Sequence, residues 1–491
     1  MSFLPHSNGS GALFELVARG NKDKFLSRND AEAQNAFNNA YKSSAPFMKE
    51  RRTVVPLNDP QFGSTFEVEI ERYGDILLEC ALLIQLPYWF PPLPITVGGQ
   101  PMNPALANNQ FQIFGNNSCG YIRYIGYLMF ESIQFYQDQI LIQEWSGESL
   151  MCTQITEGSY NTSFLDQRNA GLPLNAIEPI IKNATPSQLR VSIPLPGLQA
   201  PGDGGFPLCC MPSQTFRLKI KLRPLEDLIQ LEYLNGDDRD INPNPFDKPY
   251  SYFLTNDVLY EFRSYSRSQM AAPTILLEMQ QAYVPDDTMK ALQESQITIP
   301  YRRVFENIFT IGEQDYKPLD FGGAATITRL LDARHHVERV MFIYRLGACL
   351  ERNLRYQFFN KIGDRPDYTE NATFYNNMKL VIAGQDRESY FPPFVWQDIE
   401  ALVKDERDNG LGIGEMRWNY GELFERDRPG PRQPDGGINF STADRPTLHI
   451  QLRNVPIMAR LQQRFTELRA FMEAWNVYEI KEGRGRQLFA S

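Results

Sequence analysis

The chain has 491 residues, too many for one ordinary hydrophobic core, so two or three domains are expected. Hydrophobic residues make up 42% and charged residues 22%, which argues against a disordered chain. The net charge of -10, with no basic stripe, argues against a protein that wraps nucleic acid. Pro (34) and Gly (33) fall between strand-like runs, and that placement predicts many turns and an all-β architecture.

Residues 1–50 read as an arm that packs on a neighbour. An apolar patch, Gly11 to Ala18, contains Leu13, Phe14, Leu16 and Val17, too few to form a core of their own. The N-terminus lacks the cationic start and apolar core of a signal peptide. The longest apolar run, Ile76 to Phe90, is interrupted by Glu79, Gln85 and Pro87 and is too short to span a bilayer. A soluble protein made in the cytosol is expected.

A first β domain is predicted over 51–234. Strands are expected at Thr53–Leu57, Thr65–Ile70, Ile76–Leu86, Leu128–Phe135, Leu189–Leu195 and Phe216–Leu222. The last alternates without a fault, with Phe216, Leu218, Ile220 and Leu222 on one side and Arg217, Lys219 and Lys221 on the other. Residues 235–257, dense in Asn, Asp and Pro, are expected to be a linker.

A second β domain is predicted over 258–491, with strands at Ile275–Val284, Ile297–Ile299, Val304–Ile311, Val337–Leu346, Phe374–Ile382 and Leu448–Leu452. The grammar of the first half recurs in order. Ile76–Leu86 matches Val337–Leu346, and Phe216–Leu222 matches Leu448–Leu452. Ile133–Phe135 leading to Gln137-Asp138 matches Leu380–Ile382 leading to Gln385-Asp386, and each Gln-Asp turn precedes a helix-permissive stretch, Glu144–Thr153 and Trp396–Lys404. A duplicated β-sandwich is the expectation. The connections Pro87–Tyr121, Thr156–Gln188, Gly347–Asn371 and Asp405–Gly437 are long, lack a clear strand and hold corresponding places, so they are expected to cluster on one outward face.

The chemistry-bearing residues do not assemble into a site. A cupin metal centre needs two or three His with a carboxylate, and the four here are His6, His335, His336 and His449. His335 and His336 are adjacent and point to opposite faces of a strand, while His336 and Glu338 share a face without a third ligand. Asp237-Asp238, Asp286-Asp287 and Glu67/Glu69 read as solvated. The glycines of 410–414 lack the Lys and helix of a phosphate loop. Trp89-Phe90 and Trp418 with Tyr420 read as loop anchors or subunit contacts, with carbohydrate stacking as the competing function. The six cysteines show no metal spacing: Cys80 sits in an apolar strand, adjacent Cys209 and Cys210 could bridge only with strain, and no structural disulfide is expected.

Several segments resemble the double jelly-roll major capsid proteins of the large eukaryotic DNA viruses, the iridovirus and marseillevirus group. They are Gly11–Asp23, Tyr73–Ile76 entering the strand that ends Gln85-Leu86-Pro87, Ile193–Pro196, and Phe216–Leu222 followed by Arg223–Leu228. Gly197–Ala200 departs from the aromatic run common in relatives. The resemblance implies two tandem eight-stranded antiparallel jelly rolls with long surface loops and a few short helices. It also implies homotrimeric, pseudo-hexagonal capsomers tiling an icosahedral shell, with neighbouring capsomers and minor capsid proteins as partners. The shell would lie over an inner viral membrane, assembled in the host cytoplasm. No catalysis, no cofactor, no metal and no direct nucleic-acid binding are implied. The assembly arm would be the segment with Leu13, Phe14, Leu16 and Val17.

Overall fold

Alternating apolar and polar residues build most of the molecule. The computed structural model describes residues 46–86, 94–97, 100–101, 117–122, 124–157, 188–199, 203–233, 251–253, 259–262, 272–347, 350, 355, 374–400, 403, 413–419, 434, 436–443, 445–454 and 465–489. The arm residues Leu13, Phe14, Leu16 and Val17 lie outside them.

The first sandwich contains strands β1 (Met48–Val54), β2 (Thr65–Glu69), β3 (Ile76–Gln85), β4 (Phe130–Gln137), β5 (Ile140–Trp145), β6 (Leu189–Ser192), β7 (Phe216–Leu222) and β8 (Thr274–Tyr283). One sheet runs β1-β8-β3-β6 and the other β2-β7-β4-β5. The second contains β9 (Ile297–Ile311), β10 (Thr326–Leu330), β11 (His336–Leu346), β12 (Tyr375–Ile382), β13 (Gln385–Asp386), β14 (Gly414–Arg417), β15 (Thr447–Leu452) and β16 (Thr466–Lys481). Its sheets run β9-β16-β11-β14 and β10-β15-β12-β13, the same order repeated. This is a double jelly roll, each half made of two antiparallel sheets face to face. The strands matched between the halves of the sequence are topologically equivalent, but Gln385-Asp386 forms strand β13, whereas Gln137 ends β4 and Asp138 lies in the turn after it.

Four expectations change. Strand Thr274–Tyr283, expected in the second β domain, pairs with β1 from Met48↔Tyr283 and with β3 from Thr274↔Gln85, so it is the eighth strand of the first jelly roll. The crossover therefore follows Tyr283, not residues 235–257, and runs through helix Asp286–Glu294. Turn-forming composition cannot distinguish a linker from a long connection within one sandwich. Two of the long connections also contain strands: Pro87–Tyr121 holds Pro94–Val97, which pairs with Leu259–Phe262, and Asn117–Tyr121, which pairs with Ile229–Tyr233, while Asp405–Gly437 holds β14, which pairs with β11. Finally, Ile297–Ile299 and Val304–Ile311 are one continuous strand, since Pro300 keeps its place opposite Val477 without breaking the ladder. The expected strand at Leu128 starts at Phe130, because Ile125–Leu128 closes a helical turn.

Register fixes which end of each sandwich carries the connections. Gln85 at the end of β3 lies opposite Thr274 at the start of β8, and Ile84 lies opposite Leu189 at the start of β6. On the facing sheet, Leu222 at the end of β7 meets Phe130, and Trp145 at the end of β5 meets Ile133. The connections after β3, β5 and β7 thus open at one end. The second half repeats this, with Leu346 opposite Thr466 and Leu452 opposite Tyr375.

Strands β16, β11 and β14 of the sheet β9-β16-β11-β14 are buried on both faces, while the edge strand β9 is partly exposed. Val340, Phe342, Tyr344, Leu468, Ala470 and Met472 belong to the second core, while Met341, Ile343, Phe471 and Tyr478 join the first. Such a strand reads as a continuous apolar run instead of an alternation. Phe471 and Met472, adjacent on β16 and facing opposite ways, should therefore both matter. Phe471→Ala and Met472→Ala are each expected to cost about 2–5 kcal/mol in urea unfolding. A change within about 0.5 kcal/mol for either would mean that its face is open.

Candidate functional site

The first sandwich lies against the outer face of β9-β16-β11-β14, and the seam between them is the most elaborate polar structure among the described residues. Helix α1 (Gly147–Glu157) supplies it from the connection after β5. Leu150, Met151 and Cys152 of α1 face the first core, while Glu148, Thr153 and Thr156 face the second sandwich.

Two charge knots result. In the first, Glu148 is fully buried and accepts from Arg223 at 2.7 Å and 2.8 Å and from Arg345 at 3.1 Å, with Arg469 at 3.7 Å. Arg345 and Arg469 also reach Glu467 at 2.6 Å and 2.8 Å, and Arg469 reaches Glu306 at 2.9 Å. In the second, Glu473 accepts from Arg339 at 2.7 Å, from Arg302 at 3.3 Å and from the Thr153 hydroxyl at 2.7 Å. Arg302 and the Trp475 indole both donate to Glu338, at 2.8 Å and 2.7 Å.

Lower down, the Tyr478 hydroxyl donates to Gln137 at 2.6 Å, and the Gln137 amide donates to the Gly485 carbonyl at 2.7 Å. Gln143 donates to the Arg302 carbonyl at 2.9 Å. These pairs settle relative orientation. Glu148 follows β5 at the connection end of the first sandwich and meets Arg345 and Glu467 at the connection end of the second. Gln137 at the opposite end meets Tyr478 and Gly485, where β16 finishes. The two jelly rolls stand side by side, pointing the same way.

Burial pushes the Glu148 carboxyl up, but Arg223, Arg345 and Arg469 together outweigh it and hold it well below the usual carboxylate range. Glu473 is likewise lowered, with Arg339 and Arg302 overcoming desolvation. Glu306 goes the other way, raised by burial that Arg469 only partly offsets.

The histidines stay apart from any shared ligand set. His335 adopts a left-handed φ of 68° and places its ring 6.2 Å from Phe305 and 5.7 Å from Phe489. Glu338, expected to share a face with His336, is the extra residue of a bulge between Val337 and Arg339 and is taken up by Arg302 and Trp475. His449 lies on β15 opposite Lys379, and His6 lies outside the described residues. No group of three His, Cys, Asp or Glu among the described residues could hold a metal ion. Glu67 pairs with Arg217, Asp286 and Asp287 are exposed in the first turn of the crossover helix, and Asp237-Asp238 lies outside the described residues. Gly414 opens β14 against the Phe342 ring, in no phosphate loop. Trp418 anchors its segment by donating to Glu388 at 3.0 Å and contacting Phe440. Trp89, Phe90 and Tyr420 lie outside the described residues.

Cys80, Cys152, Cys209 and Cys210 are free thiols, with the Cys209 and Cys210 sulfurs 3.8 Å apart. Burial pushes the Cys80 thiol up to about 12. No helix among the described residues is long and apolar enough to cross a membrane.

The seam residues escaped sequence reasoning, although they left a signal. Arg339, Arg345, Arg469 and Glu473 are charged positions inside otherwise apolar strands, which demands partners.

Glu148 yields a test. Its folded carboxyl titrates below the ordinary value of about 4.3, so its contribution is complete above that pH and disappears as pH falls through the folded value. Glu467 and Glu473 share this sign, while Glu306 alone opposes it. Acid unfolding should therefore begin below about pH 4. Glu148→Gln should cost about 3–5 kcal/mol near neutral pH and flatten the acid limb, measured by urea midpoints across pH. An unchanged midpoint at pH 7 would show that the knot does not hold the seam.

Gly485 yields another. A Cβ there would collide with the Tyr478 hydroxyl and lie 2.5 Å from the Met211 sulfur, so no side chain fits between the sandwiches. Gly485→Val should lower the thermal midpoint while Gly483→Asn, in an open turn, should barely move it. Equal effects would place the close contact elsewhere.

No family model matches this sequence, and no curated protein matches it either. Solved structures do. The PBCV-1 VP54 crystal structure, fitted into a reconstruction of the virophage Sputnik, has a TM-score of 0.65 at 13% identity, covering 93% of this chain and 100% of that one. The quasi-atomic model of the PBCV-1 virus capsid has a TM-score of 0.61 at 14% identity, covering 93% and 100%. The Faustovirus major capsid protein has a TM-score of 0.56 at 11% identity, covering 92% and 93%. At these identities the likeness speaks to architecture, and on that level it agrees with the strand order: the chain has the double jelly-roll fold seen in these viral capsid proteins.

Proposed function

We propose that the chain is a structural virion protein, a major capsid protein whose trimers form pseudo-hexagonal capsomers that tile an icosahedral shell. The observation that carries the reading is the parallel stance of two equivalent sandwiches. Each protomer offers two of six wall positions, and three protomers close a ring that is threefold by symmetry and nearly sixfold in outline. The structural neighbours support the capsid role, since they include the PBCV-1 virus capsid and the Faustovirus major capsid protein.

In this reading the connection ends face outward and residues 1–50, with Leu13, Phe14, Leu16 and Val17, reach beneath the ring to minor capsid proteins or neighbouring capsomers. The shell lies over the inner viral membrane and is assembled in host cytoplasm. The protein performs no catalysis. A cupin-type metal centre would need convergent ligands, and the described histidines are dispersed over a turn and two strands.

Negative-stain images and light scattering of the purified protein test the reading. Hexagonal particles of trimer mass are expected, and deletion of residues 1–40 should leave them intact while blocking shell formation. A stable monomer at micromolar concentration would remove the main support. A truncated form unable to trimerise would place the arm in the ring contact.

A further inference from the structure

Guanidiniums buried in the seam are matched by carboxylates. The end of the second sandwich opposite the long connections breaks that pattern. Register lines up Arg303 of β9, Ala474 of β16 and Val337 of β11, with Phe305 opposite Met472 two residues further on. Phe305, Met472, Ala474 and Val337 face the second core, so Arg303 shares that face at its rim. Its guanidinium carbon stands 5.1 Å from the centre of the Phe305 ring. The His335 imidazole lies 6.2 Å from the same ring and 5.7 Å from Phe489. His335 is pinned in this position. Its backbone N–H donates to the Ser441 hydroxyl at 2.8 Å and its carbonyl accepts from Phe440 at 2.8 Å. The φ of 68° is one that a residue other than glycine adopts only at a cost, and glycine would bring no ring.

Two nitrogens of this cluster, Arg303 Nη1 and His335 Nε2, are buried and make no hydrogen bond. Arg334, exposed and adjacent to His335, adds a second guanidinium. Among the described residues neither arginine forms an ion pair, although the chain carries 59 acidic residues against 49 Lys and Arg. Burial, Arg303 and Arg334 together press the His335 imidazole below its ordinary titration range, so the local field is positive. A place that resists a third positive charge attracts a negative one.

We propose that Arg303, Arg334 and His335 form a binding site for a phosphate-type oxyanion at this end of the second sandwich. The donors come from β9 and from the turn before β11, so they approach an anion from more than one direction. That suits a tetrahedral anion better than a planar carboxylate, which a single arginine fork takes in two parallel bonds. Two guanidiniums match the charge of about −1.5 to −2 that a phosphate monoester carries at neutral pH. Neutral His335 donates through Nε2. The phosphate is either free in solution or the head of a lipid, and the site does not depend on the capsomer reading.

Isothermal titration calorimetry of the full chain with inorganic phosphate, at fixed ionic strength in chloride, tests the site. One phosphate per chain should bind saturably. Arg303→Met keeps an unbranched stem beside Phe305 and removes the charge, while Arg334→Ala changes an exposed side chain, so thermal unfolding should confirm that both fold. Each should weaken binding about tenfold or more. Arg484→Ala removes an exposed cation from the hairpin after β16 and should leave binding unchanged. Flotation with vesicles separates the two sources, since phosphatidic acid presents an open phosphate and phosphatidylcholine a capped one. Flotation with phosphatidic acid alone, lost in Arg303→Met, assigns a lipid head group to the site. Saturable phosphate binding without flotation assigns a soluble phosphate. No saturable binding by the unmutated chain, binding that survives Arg303→Met and Arg334→Ala, or equal weakening by all three substitutions would overturn the site.

Discussion

The sheet β9-β16-β11-β14 is the constraint on which the rest depends, because it serves two cores at once. One face closes the second sandwich and the other receives the first. Burying a sheet on both faces removes the usual exposed side on which charge is harmless. Any polar residue there has to be matched in place, since an unpaired buried charge costs several kcal/mol. Without this shared sheet the halves would be two domains joined by the helix Asp286–Glu294; with it, residues 47–491 behave as one compact unit.

The matching is done by carboxylates and guanidiniums. Arg is suited to it, since its planar fork can satisfy two carboxylates while remaining charged. Arg345 joins Glu148 to Glu467, and Arg302 joins Glu338 to Glu473, so each cation spans elements far apart in sequence. A buried ion network adds little net stability over a well-packed apolar alternative. What it adds here is register. An apolar face tolerates sliding, whereas Glu148 finds three guanidiniums in only one position, and that position sets the parallel stance of the two jelly rolls.

A duplicated fold with one internal seam is an incomplete object. Among the described residues the second sandwich has its outer sheet covered by the first, while the outer sheet of the first keeps Arg51 and Glu79 half exposed.

Much of this was legible in the residues. Phe216–Leu222 alternates because one of its faces meets water, and Ile76–Leu86 is long and apolar because it lies mid-sheet. Equivalent strands recur in order because strand order within each sandwich is the same. All-β class and duplication follow from local periodicity and recurrence. Strand Thr466–Lys481 escaped detection because burial on both faces erases the alternation by which strands are recognised. The placement of Thr274–Tyr283 escaped for another reason: its partners, Met48–Val54 and Ile76–Gln85, are about two hundred residues away. Sequence determined which segments are strands and which side of each is apolar, because those are properties of neighbouring residues. Only the tertiary structure decided which strands share a sheet and which charges share a seam, because those pairings are made across the whole chain and leave no local periodicity behind.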